Sequence, residues 1–241
     1  MQRAALSIII PAYNESATIV TVLNKIVKVG LPGNVGKEII VVDDCSTDFT
    51  KTIVEEYIRE SGNSCIRYMR NEKNFGKGYS IRQGIQAATG TFVIVQDADL
   101  EYDPRDYAKL LEPALEGVAD VVYGSRLMST APRRILFFWH SIGNHFLTFL
   151  CNAFSNLNLT DMETGYKLFR REIIASLHLS ENRFGFEPEV TIKIARVPGV
   201  RIFEVGISYY GRTYAEGKKI GWTDGVRAIW CIVKYSMFSR K

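Results

Sequence analysis

Runs of apolar residues alternate with amphipathic segments through the first half of the chain. The apolar runs are continuous in valine and isoleucine, a pattern typical of strands that are buried on both faces of a sheet. Five such runs occur, at residues 5–13, 38–44, 65–71, 91–99 and 120–126. Segments with helical periodicity separate them, and this alternation predicts βαβ units in a mainly parallel, doubly wound α/β sheet with helices on both faces.

The second half of the chain carries longer helical patterns and fewer strand patterns. An aromatic pattern over residues 135–157 predicts a long helix, and residues 201–210 have the pattern of a strand. A basic loop, residues 211–222, precedes a last helix predicted over residues 223–238. Because no linker-like or repeated segment separates these elements, we expect one structural unit in which a C-terminal extension, residues 213–241, follows a main domain of residues 1–212.

The composition is that of an ordinary globular protein. The 241 residues are 46% hydrophobic and 23% charged, and the net charge of +4 is too small to predict nucleic-acid binding. Residues 212–241, however, hold seven Lys or Arg residues and only two Asp or Glu. This basic stretch favours an acidic partner such as a phosphate, a nucleotide or an anionic lipid surface, although a solvated helix face would have the same composition.

Cysteine usage and the N-terminus favour a cytoplasmic protein. The four cysteines show no CxxC spacing, which predicts reduced thiols and no zinc site. The N-terminus begins directly with a strand pattern and lacks a signal-peptide layout. Residues 135–154 approach the length of one bilayer span, but His140, Asn144, His145 and other polar residues interrupt them, so we expect an interfacial or buried helix there.

Acidic residues follow the fourth predicted strand, at the sheet edge where α/β proteins bind ligands. Asp97 and Asp99 are two residues apart, so their carboxylates can lie on one side, and two close carboxylates need a cation or a shared proton. Oxygen ligands favour Mg²⁺ or Mn²⁺. The alternative is a helix cap, and Asp103, which precedes Pro104, fits that alternative better.

A glycine-rich stretch around Lys77 is a weaker indication of phosphate binding. Gly76, Lys77 and Gly78 enter a predicted helix, where backbone N–H groups and the lysine can approach a phosphate. The spacing matches neither GxxxxGK[ST] nor GxGxxG, and a simple turn at the start of a helix is an equal alternative.

Four segments of the first half resemble, in order and spacing, the family 2 glycosyltransferases with the GT-A fold; they are IIIPAYNE, VVDDCSTD, RNEKNFGKG and QDADLEYDP. Segments of the second half narrow the similarity to the polyprenyl-phosphate sugar transferases of the dolichol-phosphate mannose synthase group; they are YGSR, DMETGYKLFRR, FEPE and RTYAEGKK. The similarity covers nearly the entire chain. It implies a GT-A catalytic domain over residues 1–212, extended by a basic loop and an amphipathic helix over residues 213–241.

The resemblance implies roles for residues at the strand ends. A divalent ion, Mg²⁺ or Mn²⁺, would be held by Asp97 and Asp99, with Glu101 standing where many relatives carry Gln. Arg126 would face phosphate or sugar, and Arg212 and Lys218 would bind phosphates and order the acceptor loop. The remaining positions implied around the nucleotide sugar are Pro11, Ala12, Tyr13, Glu15, Asp43, Asp44, Lys77 and Ala98.

The resemblance also implies an inverting transfer of a hexose, mannose first and glucose second, from GDP-mannose or UDP-glucose to a polyprenyl phosphate. Because a phosphate monoester is largely ionised near neutral pH, a strong general base is not obligatory. Asp161 is expected to orient the sugar or to act as the base, and Glu187 is a second candidate for the base or, alternatively, an acid in the first turn of a helix. We expect His140 and His145 to be packing residues.

Many polyprenyl-phosphate transferases carry C-terminal transmembrane helices, whereas this sequence ends at Lys241. We therefore expect peripheral contact with the membrane surface through the basic C-terminal residues and an aromatic face. That face comprises Leu136, Phe137, Phe138, Trp139, Phe146 and Phe149. A buried core or a homodimer seam would explain the same aromatic residues.

Two other functions stay open at this point. One is a family 2 transferase that acts on a soluble or glycan acceptor. The other is a nucleotide-sugar-binding protein without turnover, against which the intact acids Asp97, Asp99 and Glu101 argue, because without catalysis they would only repel one another.

Overall fold

One mixed sheet forms the centre of the computed structural model, which describes residues 4–128, 134, 137–212 and 222–237. The sheet order is β3-β2-β1-β4-β6-β5-β7. Its strands are β1 Ala5–Ala12, β2 Gly36–Asp43, β3 Ile66–Arg70, β4 Phe92–Val95, β5 Val121–Ser125, β6 Lys167–Arg170 and β7 Ile202–Gly206. β6 runs antiparallel to β4 and β5, and every other pairing is parallel. The predicted mainly parallel sheet is confirmed, and β6 is an addition that the apolar pattern did not predict.

Helices cover both faces of this sheet, as predicted. They are α1 Ile19–Lys28, α2 Thr50–Ser61, α3 Lys77–Ala87, α4 Tyr107–Leu115, α5 Phe138–Ser155, α6 Arg171–Ser176, α7 Phe186–Ile194 and α8 Trp222–Met237. Along β1, Ile8 and Ile10 belong to the core under α1, α2 and α4, whereas Ile9 belongs to the core under α3 and α7. Burial on both faces explains why the strand sequences are continuously apolar.

The C-terminal helix belongs to the same packed structure. α8 packs against α5 and α7, and its Ile232 and Tyr235 are buried in the core that α3 and α7 also share. The boundary between residues 212 and 213 stays a prediction, since residues 213–221 lie outside the described part of the chain. All four cysteines are free, as predicted. Within the described residues, no helix combines the length and the apolarity that crossing a membrane requires.

Candidate functional site

Three neighbouring parallel strands are followed by turns with an unusual backbone. Asn14 after β1, Cys45 after β2 and Leu100 after β4 have positive φ angles of 55°, 62° and 66°. A left-handed conformation costs an L-residue about 1–2 kcal/mol, and such residues cluster at functional sites. At Leu100 the turn lets the Asp99 carboxylate accept a hydrogen bond from the backbone N–H of Glu101 at 3.2 Å. The backbone thereby folds the acids after β4 toward one another.

We call Asp97, Asp99 and Glu101 the acidic cluster. Two protein cations lie against it. Lys77 Nζ is 2.7 Å from Asp97 Oδ1, and the Arg212 guanidinium joins Asp99 Oδ2 (2.7 Å) to Glu101 Oε1 (3.2 Å). The structure therefore brings together five residues that the resemblance implies as ligands of the ion, the nucleotide or the phosphates.

Negative charge in the acidic cluster exceeds what these cations compensate. Burial, with the charges of Asp97 and Glu101, raises the pKa of Asp99 to about 7, although Arg212 opposes the rise. Burial alone would lower the pKa of Lys77, but the carboxylates of Asp97 and Glu187 outweigh it and raise that pKa. Glu187 lies 3.6 Å from Lys77 and in the first turn of α7, as the alternative for it predicted, whereas its role as a base stays a prediction.

The donor atoms of the acidic cluster fit a divalent ion. They are oxygens only, which is the ligand chemistry of Mg²⁺ and Mn²⁺, and the mutual repulsion of the three carboxylates favours a bound cation. Among the residues that the structure describes, no three His, Cys, Asp or Glu side chains converge in a geometry that holds an ion directly.

Glu101 differs from the two aspartates because it anchors a distant segment. Its Oε1 accepts the backbone N–H of Arg212 (3.0 Å), its Oε2 accepts the Tyr209 hydroxyl (2.8 Å), and its backbone C=O accepts the N–H of Tyr210 (2.9 Å). A β-bridge between Tyr102 and Tyr209 continues this pairing. A role for Glu101 as a metal ligand stays a prediction, beside a structural role that the sequence did not indicate.

Arg126 and Asp161 form a buried bidentate pair beside the acidic cluster. Arg126 Nε and Nη2 donate to the two Asp161 oxygens at 2.6 and 2.7 Å, and the Arg126 backbone N–H adds a third bond of 3.0 Å. Burial opposes ionisation of Asp161, but Arg126 and the Asn144 amide, at 3.1 Å, lower its pKa. The Arg126 guanidinium also lies 5.1 Å from the ring centre of Tyr209. With both oxygens occupied, Asp161 is better placed to orient Arg126 than to accept a proton.

Asp43 and Asp44, at the end of β2, use their carboxylates to shape neighbouring loops. Asp44 accepts the backbone N–H groups of Phe75 (3.0 Å) and Gly76 (2.6 Å) and the amide of Asn71 (2.7 Å). Asp43 accepts the hydroxyl of Tyr68 at 2.6 Å. Both aspartates are buried. Contact of these carboxylates with a nucleotide base stays a prediction, whereas their hold on the glycine stretch is a finding.

The glycines beside Lys77 have a packing reason. Gly76, at φ 103°, precedes α3, and a Cβ on Gly76 or Gly78 would overlap the backbone of residues 181–183. The turn at the start of a helix is confirmed, whereas the approach of a phosphate to this stretch stays a prediction. The turn places Lys77 in the first position of α3, where it reaches Asp97.

Sequence reasoning missed a buried charged group behind Asp97. Glu163 Oε1 is buried without a hydrogen-bond partner, and burial together with the charge of Glu187 raises the pKa of Glu163 to about 7. Lys167 is buried nearby and donates to the backbone C=O of Thr164. A Cβ on Gly165 would lie 2.8 Å from Asp97 Oδ2, so residues 163–167 form the wall behind Asp97. The sequence feature that could have indicated this group is the segment ETGYK, residues 163–167, in which charged residues lie on both sides of a glycine.

The remaining predicted positions have mixed outcomes. Pro11 and Ala12 end β1, and Tyr13 and Glu15 lie in the turn that follows it. Ala98 is buried between the two aspartates, and Asp103 caps the turn Pro104–Asp106, as predicted, by accepting the N–H of Arg105. Lys218 and Leu136 lie outside the described residues.

Two expectations for α5 are wrong. His140 and His145 are exposed on the helix surface, so they are not packing residues, and His145 Nδ1 contacts only its own helix, at Ser141 O (2.7 Å). The alternative that the aromatic residues form a buried core also fails. Trp139 is 78% exposed and Phe149 is 68% exposed, because the inner face of α5 is supplied by other residues such as Thr148 and Cys151.

Known proteins resemble this chain over most of its length. The family model described as "Glycosyl transferase family 2" matches residues 7–177. The dodecaprenyl-phosphate galacturonate synthase of Rhizobium johnstonii is 25% identical over 218 residues, 90% of this chain and 62% of that protein. The dolichyl-phosphate beta-glucosyltransferase of Dictyostelium discoideum is 29% identical over 237 residues, 89% of this chain and 68% of that protein. The chain thus spans less than two thirds of the Rhizobium relative.

A solved structure shares the fold. The glucosyl-3-phosphoglycerate synthase of Mycobacterium tuberculosis, crystallised with Mn²⁺, UDP-glucose and phosphoglyceric acid, aligns with 99% of this chain and 82% of its own, at a TM-score of 0.71 and 22% identity. This likeness confirms the predicted fold class.

Proposed function

The chain belongs to glycosyl transferase family 2, and from this membership we propose that it transfers a hexose from a nucleotide sugar to a polyprenyl phosphate. The names of the Rhizobium and Dictyostelium relatives contain a polyprenyl phosphate, which favours this class of acceptor. The sugars in those names are galacturonate and glucose, so donors of glucose and of mannose are both to be tested first. Transfer of mannose from GDP-mannose stays a prediction.

The arrangement of charge at the carboxyl edge of the sheet carries this proposal. Asp97 and Asp99 offer oxygens for one cation, while Lys77, Arg126 and Arg212 offer positive charge for phosphate groups. A transfer from a nucleoside diphosphate to a phosphate brings two repelling anions together, and it needs both kinds of group within one cleft. A binding site for a neutral ligand has no use for three carboxylates with two cations against them and a third cation held by Asp161 nearby.

A bound Mg²⁺ or Mn²⁺ would be held by Asp97 and Asp99 and would stabilise the negative charge that develops on the leaving diphosphate. Lys77 is fixed at the first position of α3 and adds a positive charge beside Asp97. Arg126 is held by Asp161 and by the ring of Tyr209, so its guanidinium orients a phosphate or a sugar with little loss of side-chain freedom.

The chemistry that these residues support is a single displacement. A phosphate oxygen of the acceptor forms a bond to the anomeric carbon as the bond from that carbon to the diphosphate oxygen breaks, which inverts the carbon. The acceptor phosphate is already largely ionised at neutral pH, so no proton needs to be removed by a strong base. Asp161 then acts through Arg126 as a positioning residue.

The exposed aromatic residues of α5 favour contact with a membrane surface. Phe138, Ile142, Phe146 and Phe149 recur at helical spacing and are exposed, and α8 packs beside α5 with Trp230 exposed. An amphipathic pair of helices with outward aromatic residues is typical of proteins that lie on the interface. We propose that this face brings the site to a lipid-borne phosphate; a homodimer seam is the competing outcome.

A transfer assay tests this function. The full chain is incubated with Mg²⁺ or Mn²⁺, labelled UDP-glucose or GDP-mannose, and a polyprenyl phosphate in detergent, and the label is followed into the lipid phase. We expect a labelled lipid with one of the donors. If the label appears on an added soluble phosphate acceptor but not on the lipid, the acceptor is soluble and the proposed acceptor class is wrong. If no nucleotide sugar gives any transfer, the proposal is refuted.

A further inference from the structure

The side chain of Arg212 occupies the acidic cluster that the proposed function gives to a divalent ion. We propose that Arg212 is an internal competitor of that ion, which binds Asp99 only as the guanidinium leaves. The inference rests on the proposed function for the identity of the ion, but its test does not require transfer activity.

The contact between Arg212 and Asp99 opposes the binding of an ion to the same carboxylate. Arg212 Nη2 lies 2.7 Å from Asp99 Oδ2, and both side chains are largely shielded from solvent, with exposed fractions of 21% and 16%. Mg²⁺ binds carboxylate oxygens at about 2.0–2.1 Å, which would place the ion and the guanidinium on neighbouring positions of one carboxylate. Two cations that close repel, and shielding from water strengthens the repulsion.

The backbone of residues 209–212 has its own anchor and does not need the guanidinium. Glu101 accepts the Arg212 backbone N–H at 3.0 Å and the Tyr209 hydroxyl at 2.8 Å, and its C=O accepts the Tyr210 N–H at 2.9 Å. These three bonds remain when the Arg212 side chain rotates away. The exchange is therefore a side-chain movement on a fixed backbone, and the freed guanidinium stays next to the cleft. The pairing with Arg212 also gives a reason for a glutamate at position 101, because a neutral glutamine would hold the Arg212 guanidinium less strongly.

Competition links ion binding to the arrival of phosphate. Any ligand that binds better when the guanidinium is released raises the affinity for the ion, and the ion raises the affinity for that ligand by the same factor. A diphosphate is such a ligand, because it offers Arg212 a new anionic partner. The chain alone thus binds the ion weakly and binds it well together with a nucleoside diphosphate.

The test is a Mn²⁺ titration of the full chain without nucleotide, in which electron paramagnetic resonance counts the free ion. Arg212→Gln is expected to tighten Mn²⁺ binding about fivefold or more over the wild-type chain, in the range of ordinary coupling between sites. Arg105→Gln is the matched control. Arg105 pairs at 2.6 Å with Asp103, which lies two residues beyond Glu101. The control therefore also removes one arginine charge from a carboxylate that follows β4, but from one outside the acidic cluster. We expect no change in the affinity for Mn²⁺.

Two further measurements keep the outcome clear. Hydrogen exchange at the Tyr210 amide should be equal in the wild-type chain and in Arg212→Gln, which shows that the anchored backbone is intact. Adding Asp99→Asn to Arg212→Gln should abolish the gained affinity. An Arg212→Gln variant with an intact Tyr210 amide and unchanged or weaker Mn²⁺ binding would overturn the competition, as would a gain that survives Asp99→Asn. A failed transfer assay, in contrast, would remove the proposed function and leave the titration unaffected.

Discussion

Arg126 holds Asp161 through two parallel side-chain hydrogen bonds of 2.6 and 2.7 Å, although the two residues lie 35 positions apart in the chain. The pair joins the end of β5 to the turn that precedes β6. It fixes one of the three cations of the candidate site, and its loss should affect both stability and ligand binding.

Asp161→Asn should destabilise the protein by about 3–5 kcal/mol, because it leaves the largely buried Arg126 guanidinium without a charged partner. Urea denaturation measures the change. Glu55→Gln is the control, since Glu55 is half exposed and lies 3.9 Å from the exposed Lys51, and its loss should barely alter the free energy of unfolding. Equal effects of the two substitutions would show that the Arg126–Asp161 pair is not structurally important.

Gly78→Ala should destabilise the protein by about 1–3 kcal/mol, since the new methyl group meets the backbone oxygens of Glu181 and Arg183. It should also weaken nucleotide-sugar binding by moving Lys77. Gly143→Ala, in the middle of α5, is the matched control. No atom lies within 4 Å of its added Cβ, so it should stabilise the helix by about 0.5–1 kcal/mol. A neutral Gly78→Ala would contradict the packing explanation of the glycine stretch.

Glu163→Gln should change how stability depends on pH. The pKa of Glu163 in the folded protein, about 7, lies above the ordinary value of 4.5, so the wild-type protein loses stability as the pH rises between these values. The variant lacks this loss. Thermal unfolding should show similar stability of the two proteins below pH 4.5 and an advantage of the variant by about 1–3 kcal/mol above pH 7. A difference that is constant with pH would show that Glu163 does not titrate in this range.

Trp139→Ser and Phe149→Ser should reduce sedimentation of the protein with vesicles of mixed neutral and anionic lipid, while the melting temperature stays unchanged. Both side chains are mostly exposed on α5, so their removal costs membrane contact and little packing. Phe203→Ser, an exposed aromatic residue on the edge strand β7, should leave vesicle binding intact. Unchanged vesicle binding together with a loss of dimer in sedimentation velocity would assign this face to a homodimer instead.

Much of the fold could be predicted because local sequence determines it. Continuous Val and Ile runs fix β1, β2 and β5 as strands buried on both faces, and helical spacing fixes α1. β6 could not be predicted in the same way. Its four residues contain the buried Lys167, and its antiparallel position between β4 and β5 depends on pairing across about 75 residues of chain.

The candidate site was predictable where its residues directly follow strands. Asp97 and Asp99 lie at the expected edge of the sheet because they follow the carboxyl end of β4. The partners of the two aspartates were not predictable from local pattern, because Arg212 reaches Asp99 across 113 positions. The same holds for Gly78, since the backbone that leaves no room for a side chain there lies about 100 positions later in the chain. Only the folded chain reveals that protein cations already lie against these acids.

Nucleotide-sugar binding by two aspartate variants tests the central claim most directly. Isothermal titration with UDP-glucose and with GDP-mannose, each with Mn²⁺, compares the wild-type chain, Asp99→Asn and Asp103→Asn, where Asp103 caps the next turn. We predict that one donor binds the wild-type chain and Asp103→Asn in a Mn²⁺-dependent manner, and that Asp99→Asn loses this dependence. Mn²⁺-dependent binding that survives in Asp99→Asn, or a wild-type chain that binds neither donor, would contradict a nucleotide-sugar site at the carboxyl edge of the sheet.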